Sequence, residues 1–199
     1  MATKKLATEI RREQIVLAAL RLVAKDGLRK LSVAQVARQV GLVPSALYRH
    51  FRSKDEIIDA MLGLLRSTMM GNVAAVQAET DDPERQLHRL LELHAGLIKD
   101  NQAIPRILFS DEVYSGPPER KRQMFGVLKG YLDALAGIIR EGQRSGRFHK
   151  GLDPDTLALM FVGIVVPAAI LWHASGGAMN VPDHVEKGWK MFRTILVKT

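Results

Sequence analysis

An all-α fold is predicted by three features of this 199-residue chain. Apolar residues recur at i, i+3, i+4 and i+7 along most of its length, and no segment alternates convincingly at the two-residue period of a strand. Ser, Asp, Gly and Pro stand where helices would start and stop. The expected architecture is an N-terminal three-helix helix-turn-helix domain, residues 1–53, and a larger C-terminal helical domain, residues 54–199, with about nine helices.

The first helix is read up to Gly27, with charges interleaved among its apolar positions. Lys4, Lys5, Arg11 and Arg12 are expected to form a flexible basic arm or a solvated leader. Residues 32–56, S-V-A-Q-V-A-R-Q-V-G-L-V-P-S-A-L-Y-R-H-F-R-S-K-D-E, carry the densest signal. Val33, Val36, Ala37 and Val40 share one helix face, Ser32 and Gln35 make an S-x-x-Q capping box, and Leu31 can staple onto Val36. Gly41 supplies a positive-φ exit. Pro44 pre-sets the next helix, whose Leu47 and Phe51 point back at the first. Small Ala37 lets the two helices cross closely. Such a pair is a helix-turn-helix, whose second helix enters the major groove of DNA.

With Leu47 and Phe51 inward, Ser45, Ala46, Tyr48, Arg49 and Arg52 fall outward at about 100° per residue. These residue types donate to phosphates, read base edges or touch a thymine methyl. Ser53 and Glu56 form a second capping box, so a long helix starts at Lys54 with its free amides and positive dipole end available to phosphate. Lys54 and Tyr48 are expected to grip the backbone, with Ser32 and Gln35, at the start of their helix, on a neighbouring phosphate. Arg49 and Ser45, with Ala46 beside them, are better placed for base edges. His50 lies at the rim, open between a phosphate contact and packing. Charge agrees: residues 1–54 hold twelve Lys/Arg against three Asp/Glu, while the remainder holds seventeen against eighteen. That segregation points to a polyanion.

Downstream, the helix from Ser53 is expected to reach about Ala78. Asp82-Pro83 restarts the chain into a helix bearing Leu87, Leu90, Leu91, His94 and Ile98. A shorter helix is expected around residues 104–113, then an S-G-P-P loop at 115–118. Met124, Phe125, Leu128, Tyr131, Leu132, Leu135, Ile138 and Ile139 mark a long helix ended by Gly142 and Gly146. Asp153-Pro154 caps a segment so apolar that residues 157–172 carry no charge. It is shorter than the roughly 20 residues a membrane span needs and contains Pro167, so burial in protein is the preferred reading over a membrane anchor. Asp183-x-x-Glu186 is expected to cap the last helix, with Val185, Trp189, Phe192, Ile195 and Leu196 on one face. Two apolar C-terminal helices suggest a subunit interface, for which Phe161, Val165, Ala168, Trp189, Phe192 and Leu196 are the candidates. Trp189 and Phe192 equally suit an intramolecular core.

With these residues in view, residues 9–61 resemble the DNA-binding region of the TetR family of bacterial transcriptional regulators. The carrying run is G-L-V-P-S-A-L-Y-R-H-F-R-S-K-D-E-I-I, with Gly41, Leu47-Tyr48, His50-Phe51 and Lys54 as the matching pieces, preceded by R-R-E-Q-I-V-L-A-A-L-R-L-V-A-K-D-G. Val43 departs from the pattern, since many members place a capping Ser or Thr there, and Pro44 must partly substitute.

The resemblance implies a homodimer, a palindromic double-stranded operator, and an effector-binding and dimerisation domain over residues 54–199. It implies a sequence-specific repressor released by a small molecule, with an activator of the same fold as the alternative. Candidate effector-lining residues are His94, Ile98, Leu108, Phe109, Phe125, Leu128, Tyr131, Trp172 and His173, each apolar member equally suited to core packing. A helical interaction module that binds no DNA is the other competing class. The chain lacks cysteine and shows no H-E-x-x-H, G-x-S-x-G, Walker or dinucleotide motif, so no metal, cofactor or enzymatic activity is expected. A cytoplasmic location without membrane attachment is the matching expectation.

Overall fold

A computed structural model of the chain describes residues 2–198, with side chains from residue 8. Among the described residues are ten α-helices, and the only strand-like pairing is one antiparallel bridge between Phe148 and Val197. The helices are α1 (Ala2–Asp26), α2 (Val33–Gln39), α3 (Pro44–Leu47), α4 (Lys54–Glu79) and α5 (Pro83–Asp100), followed by α6 (Ala103–Leu108), α7 (Asp111–Tyr114), α8 (Pro118–Arg144), α9 (Pro154–Ala174) and α10 (Val181–Leu196). The one short helix expected around residues 104–113 is two, because Ser110 ends one and caps the next by accepting from the Glu112 amide at 3.1 Å. The expected basic arm is helical, since Arg11 and Arg12 lie within α1; the side chains of Lys4 and Lys5 lie outside the described residues.

Contacts divide the chain differently from a cut at residue 54. One compact unit comprises residues 1–66 with 101–125, and the other residues 67–100 with 126–199. The reason is a shared core: Ile57, Ile58, Met61 and Leu62 of α4, with Ala103, Ile107, Val113 and Met124, pack with Ile15, Val23, Leu47 and Phe51. A buried arginine fastens the same segments. Arg120 donates to Asp55 at 2.6 Å, to Asp59 at 3.1 Å and to the Glu112 carbonyl at 3.1 Å, while Gln123 donates to the Asp59 carbonyl. Burial disfavours the Arg120 charge, but the two carboxylates outweigh it and raise its pKa.

In the second unit, α5, α9 and α10 pack together. Leu87, Leu90 and Leu91 meet a core that holds Leu157, Phe161, Val165, Val185, Trp189, Phe192 and Leu196. Phe161 meets Phe192 edge-on at 5.9 Å. Two glycines allow close approach. A Cβ on Gly142 would collide with the Phe148 ring, and one on Gly188 with the Ile164 side chain. Gly142 therefore makes room for a ring rather than ending α8, which runs on to Arg144; Gly146, at φ 78°, follows the helix end. Asp153 caps α9 as expected, accepting from the Thr156 amide at 2.8 Å. The cap of α10 is Asn180, which accepts from the Asp183 amide, so Asp183 lies in the first turn instead of preceding it.

The apolar α9 is not buried all round. Leu157, Ala158, Phe161, Val165, Ala168 and Ala169 face the core, while Leu159, Met160, Ile170 and Leu171 are exposed in this chain. By length and composition α9 is the one described helix apolar enough to cross a membrane. Ile195, expected on the inward face of α10, is also exposed.

Candidate nucleic-acid interface

The first unit builds its outward surface from local rules. Ser32 caps α2 by accepting from the Gln35 amide at 3.3 Å, and its hydroxyl donates to the Gln35 side-chain oxygen at 3.0 Å. Gly41 takes φ 68°, which turns the chain so that the Leu42 amide donates back to the Ala37 carbonyl at 2.8 Å. Val43 has no oxygen with which to cap α3, and Pro44 occupies the first turn. The short helix then continues as a turn, the His50 and Phe51 amides both donating to the Leu47 carbonyl. Leu47 and Phe51 are fully buried. Ser45, Tyr48, Arg49 and Arg52 are exposed, Tyr48 to 51%, with Ala46 and His50 half-buried beside them.

The far end of this element is held by a residue that spacing did not single out. Arg12 of α1 donates to the His50 carbonyl and stacks its guanidinium 4.0 Å above the Phe51 ring. Arg12, Tyr48, Arg49, His50 and Arg52 also line one open surface groove with Glu56, Asp59 and Ala60. The sequence placed Arg12 in a basic arm, with nothing to pair it with Phe51.

The N-terminus of α4 adjoins this surface within the same unit. Ser53 accepts from the Glu56 amide at 3.2 Å, while Glu56 reaches back to the Arg52 amide at 2.8 Å, one residue earlier than an ideal box. Lys54 donates to the Arg29 carbonyl at 3.2 Å. Glu112 belongs to the same electrostatic neighbourhood. Burial pushes its carboxyl up, but the Ser110 hydroxyl, a backbone amide, Lys54 and Arg29 together hold it below the ordinary glutamate value.

The nominated effector residues are divided between the two units. Leu108, Phe109 and Phe125 belong to the first unit, where Phe109 is 60% and Phe125 66% exposed. Leu128 and His173 are exposed and Trp172 half-buried. Ile98 is buried. His94 and Tyr131 come together, edge-to-face at 5.4 Å, lining a small cavity with Met69, Asn72, Leu90 and Leu97.

The nominated dimer residues Phe161, Val165, Ala168, Trp189, Phe192 and Leu196 are all buried within the single chain. α9 is apolar on two faces, and spacing chose the face that closes the chain's own core. The faces left open carry Leu159, Met160, Ile170 and Leu171 on α9, and Met191 and Ile195 on α10.

Residues 15–61 match the bacterial regulatory proteins of the tetR family, and residues 80–196 match the tetracyclin repressor-like C-terminal domain. The HTH-type transcriptional repressor KstR2 of Rhodococcus jostii is 26% identical over 89% of this chain and 86% of its own. A transcriptional regulator of Saccharomonospora viridis, solved with choline, superposes with a TM-score of 0.83 at 21% identity, over 96% of this chain and all of that one. FadR of Bacillus subtilis, solved with stearoyl-CoA, superposes with a TM-score of 0.77 at 22% identity, over 92% of this chain and 98% of that one.

Proposed function

This chain belongs to the TetR family of bacterial regulatory proteins, and on that premise we propose that it is a homodimeric repressor, released from a palindromic operator by a small molecule. As a member of that family it is a DNA-binding transcriptional regulator. The observation that carries the proposal is the outward set on α3 and its following turn: Ser45, Tyr48 and Arg49 in solvent, backed by buried Leu47 and Phe51. In this reading Arg49 and Ser45, beside Ala46, meet base edges. Tyr48, His50, Lys54 and Ser32, with Gln35, hold phosphates on either side.

Dimerisation is assigned to the exposed apolar faces of α9 and α10. Two copies joined there present two recognition helices about a two-fold axis, reading half-sites roughly 34–36 Å apart. Release uses α4, which starts at Lys54 and supplies residues to both units. An effector that shifts the second half of that helix moves the phosphate grip at its first turn. A coupling of about 1–3 kcal/mol suffices. The solved relatives hold ligands as different as choline and stearoyl-CoA, which supports a small-molecule effector without naming one. The protein acts in the cytoplasm, where its operator is.

Selection from a random DNA pool tests the proposal. An enriched palindrome with half-sites one helical turn apart is expected, and affinity should fall steeply with salt, with a log–log slope near −0.9 per phosphate neutralised. Failure to enrich any sequence, or a consensus without two-fold symmetry, would overturn it.

A further inference from the structure

The second unit contains a polar site that the DNA-facing surface does not use. His94 of α5 is buried, and its Nδ1 has no hydrogen-bond partner among the described residues. The ring lies edge-to-face with Tyr131 of α8 and borders a cavity of about 10 Å³ shared with Asn72 of α4. The rest of the lining is Met69, Leu90 and Leu97, with no Asp, Glu, Lys or Arg among the lining residues. An unpaired imidazole nitrogen in an apolar setting is costly, because it has given up its bond to water without replacing it. Such a group is retained where something completes it.

We infer that His94, with Asn72 and Tyr131, is the polar end of the effector site, and that it selects a neutral, mostly apolar ligand bearing a hydroxyl group. The inference rests on the reading that this chain has a small-molecule effector. A hydroxyl both donates and accepts, so it satisfies Nδ1 in either tautomer of a neutral imidazole. A carboxylate or an ammonium would be desolvated there without an opposite charge. Burial lowers the His94 pKa from 6.5 to about 4, so the imidazole is neutral at physiological pH and offers no cation. The cavity as found has room for about one water. A ligand hydroxyl takes that place, and the apolar body displaces Met69 and Leu97, the former an adaptable unbranched side chain.

Four probes that share an eight-carbon chain test this by calorimetry: 1-octanol, octanoate, octyltrimethylammonium and 1-chlorooctane. Octanol is expected to bind more tightly than the other three. Its advantage over chlorooctane should shrink about tenfold in His94→Leu, the loss of one hydrogen bond. In the unmodified chain the His94 Nδ1 nitrogen resonance should move when octanol binds, a readout that does not depend on the variant folding. Preference for octanoate or the ammonium, an unchanged octanol-to-chlorooctane ratio in His94→Leu, or an unmoved Nδ1 resonance with octanol bound would each overturn the site. Operator binding is read separately. Octanol bound through His94 with operator affinity unchanged supports the site and overturns the effector reading. Octanol that releases operator equally from the wild type and His94→Leu overturns the site and leaves the effector reading standing.

Discussion

Two surfaces of this chain are left open to solvent, and they are chemical opposites. Along α3 and its following turn the exposed side chains are Ser45, Tyr48, Arg49 and Arg52; along α9 and α10 they are Leu159, Met160, Leu171 and Met191, the last 71% exposed. Both are backed by a closed apolar core, so exposure alone does not separate them. What separates them is the price of leaving each one wet. A guanidinium in water is already satisfied and gains by meeting phosphate or guanine, whereas a row of Leu and Met gains by leaving water altogether. The first surface suits a polyanion and the second a surface like itself.

The largest effect that would break this comparison lies in the two faces of α9. Phe161→Ala, on the buried face, should cost about 3–5 kcal/mol of stability in denaturant titrations. Leu171→Glu, on the open face, should leave the subunit fold within about 0.5 kcal/mol yet yield monomers by sedimentation and lose operator binding. A Leu171→Glu protein that stays dimeric places the interface elsewhere.

A second effect of nearly the same size belongs to a buried titratable group of the second unit. His94 has its folded pKa lowered from 6.5 to about 4 by burial, so the unfolded chain takes up its proton first as pH falls. The stability His94 contributes is therefore intact above pH 6.5 and is lost progressively toward pH 4, by about 3 kcal/mol. As pH falls through that window, wild type should lose stability relative to His94→Leu in denaturant titrations, and parallel curves would contradict neutral burial.

The smallest effects sharpen the division of labour on the DNA side. Arg49→Ala should cost about 1–3 kcal/mol on the best operator and relax preference at one base pair per half-site. Lys54→Ala should weaken all sequences alike and flatten the salt slope by about 0.9 per subunit. Fluorescence anisotropy at several salt concentrations distinguishes the two patterns; if they came out interchanged, the roles assigned to these residues would be interchanged too.

Legibility followed the distance over which each feature is decided. The cap at Ser32, the turn at Gly41, the inward pair Leu47 and Phe51 and the cap at Asp153 are set by neighbours within a few residues, and each stands where spacing placed it. Arg12 over Phe51, and Arg120 between Asp55 and Asp59, join residues 39 to 65 positions apart and left no mark in any short window. The membership of residues 101–125 in the first unit was hidden for the same reason.

The chain's own order of residues determined that it is helical, where most helices begin, and which side of α3 is polar, because caps, turns and amphipathic periods are short-range properties of a polymer. Tertiary packing decided which side of α9 is buried, which arginine is locked to two carboxylates, and that His94 and Tyr131 are shut away from water while His173 is not. A helix that is apolar on every side carries no periodic preference, so only the shape of its neighbours chooses the face that turns inward.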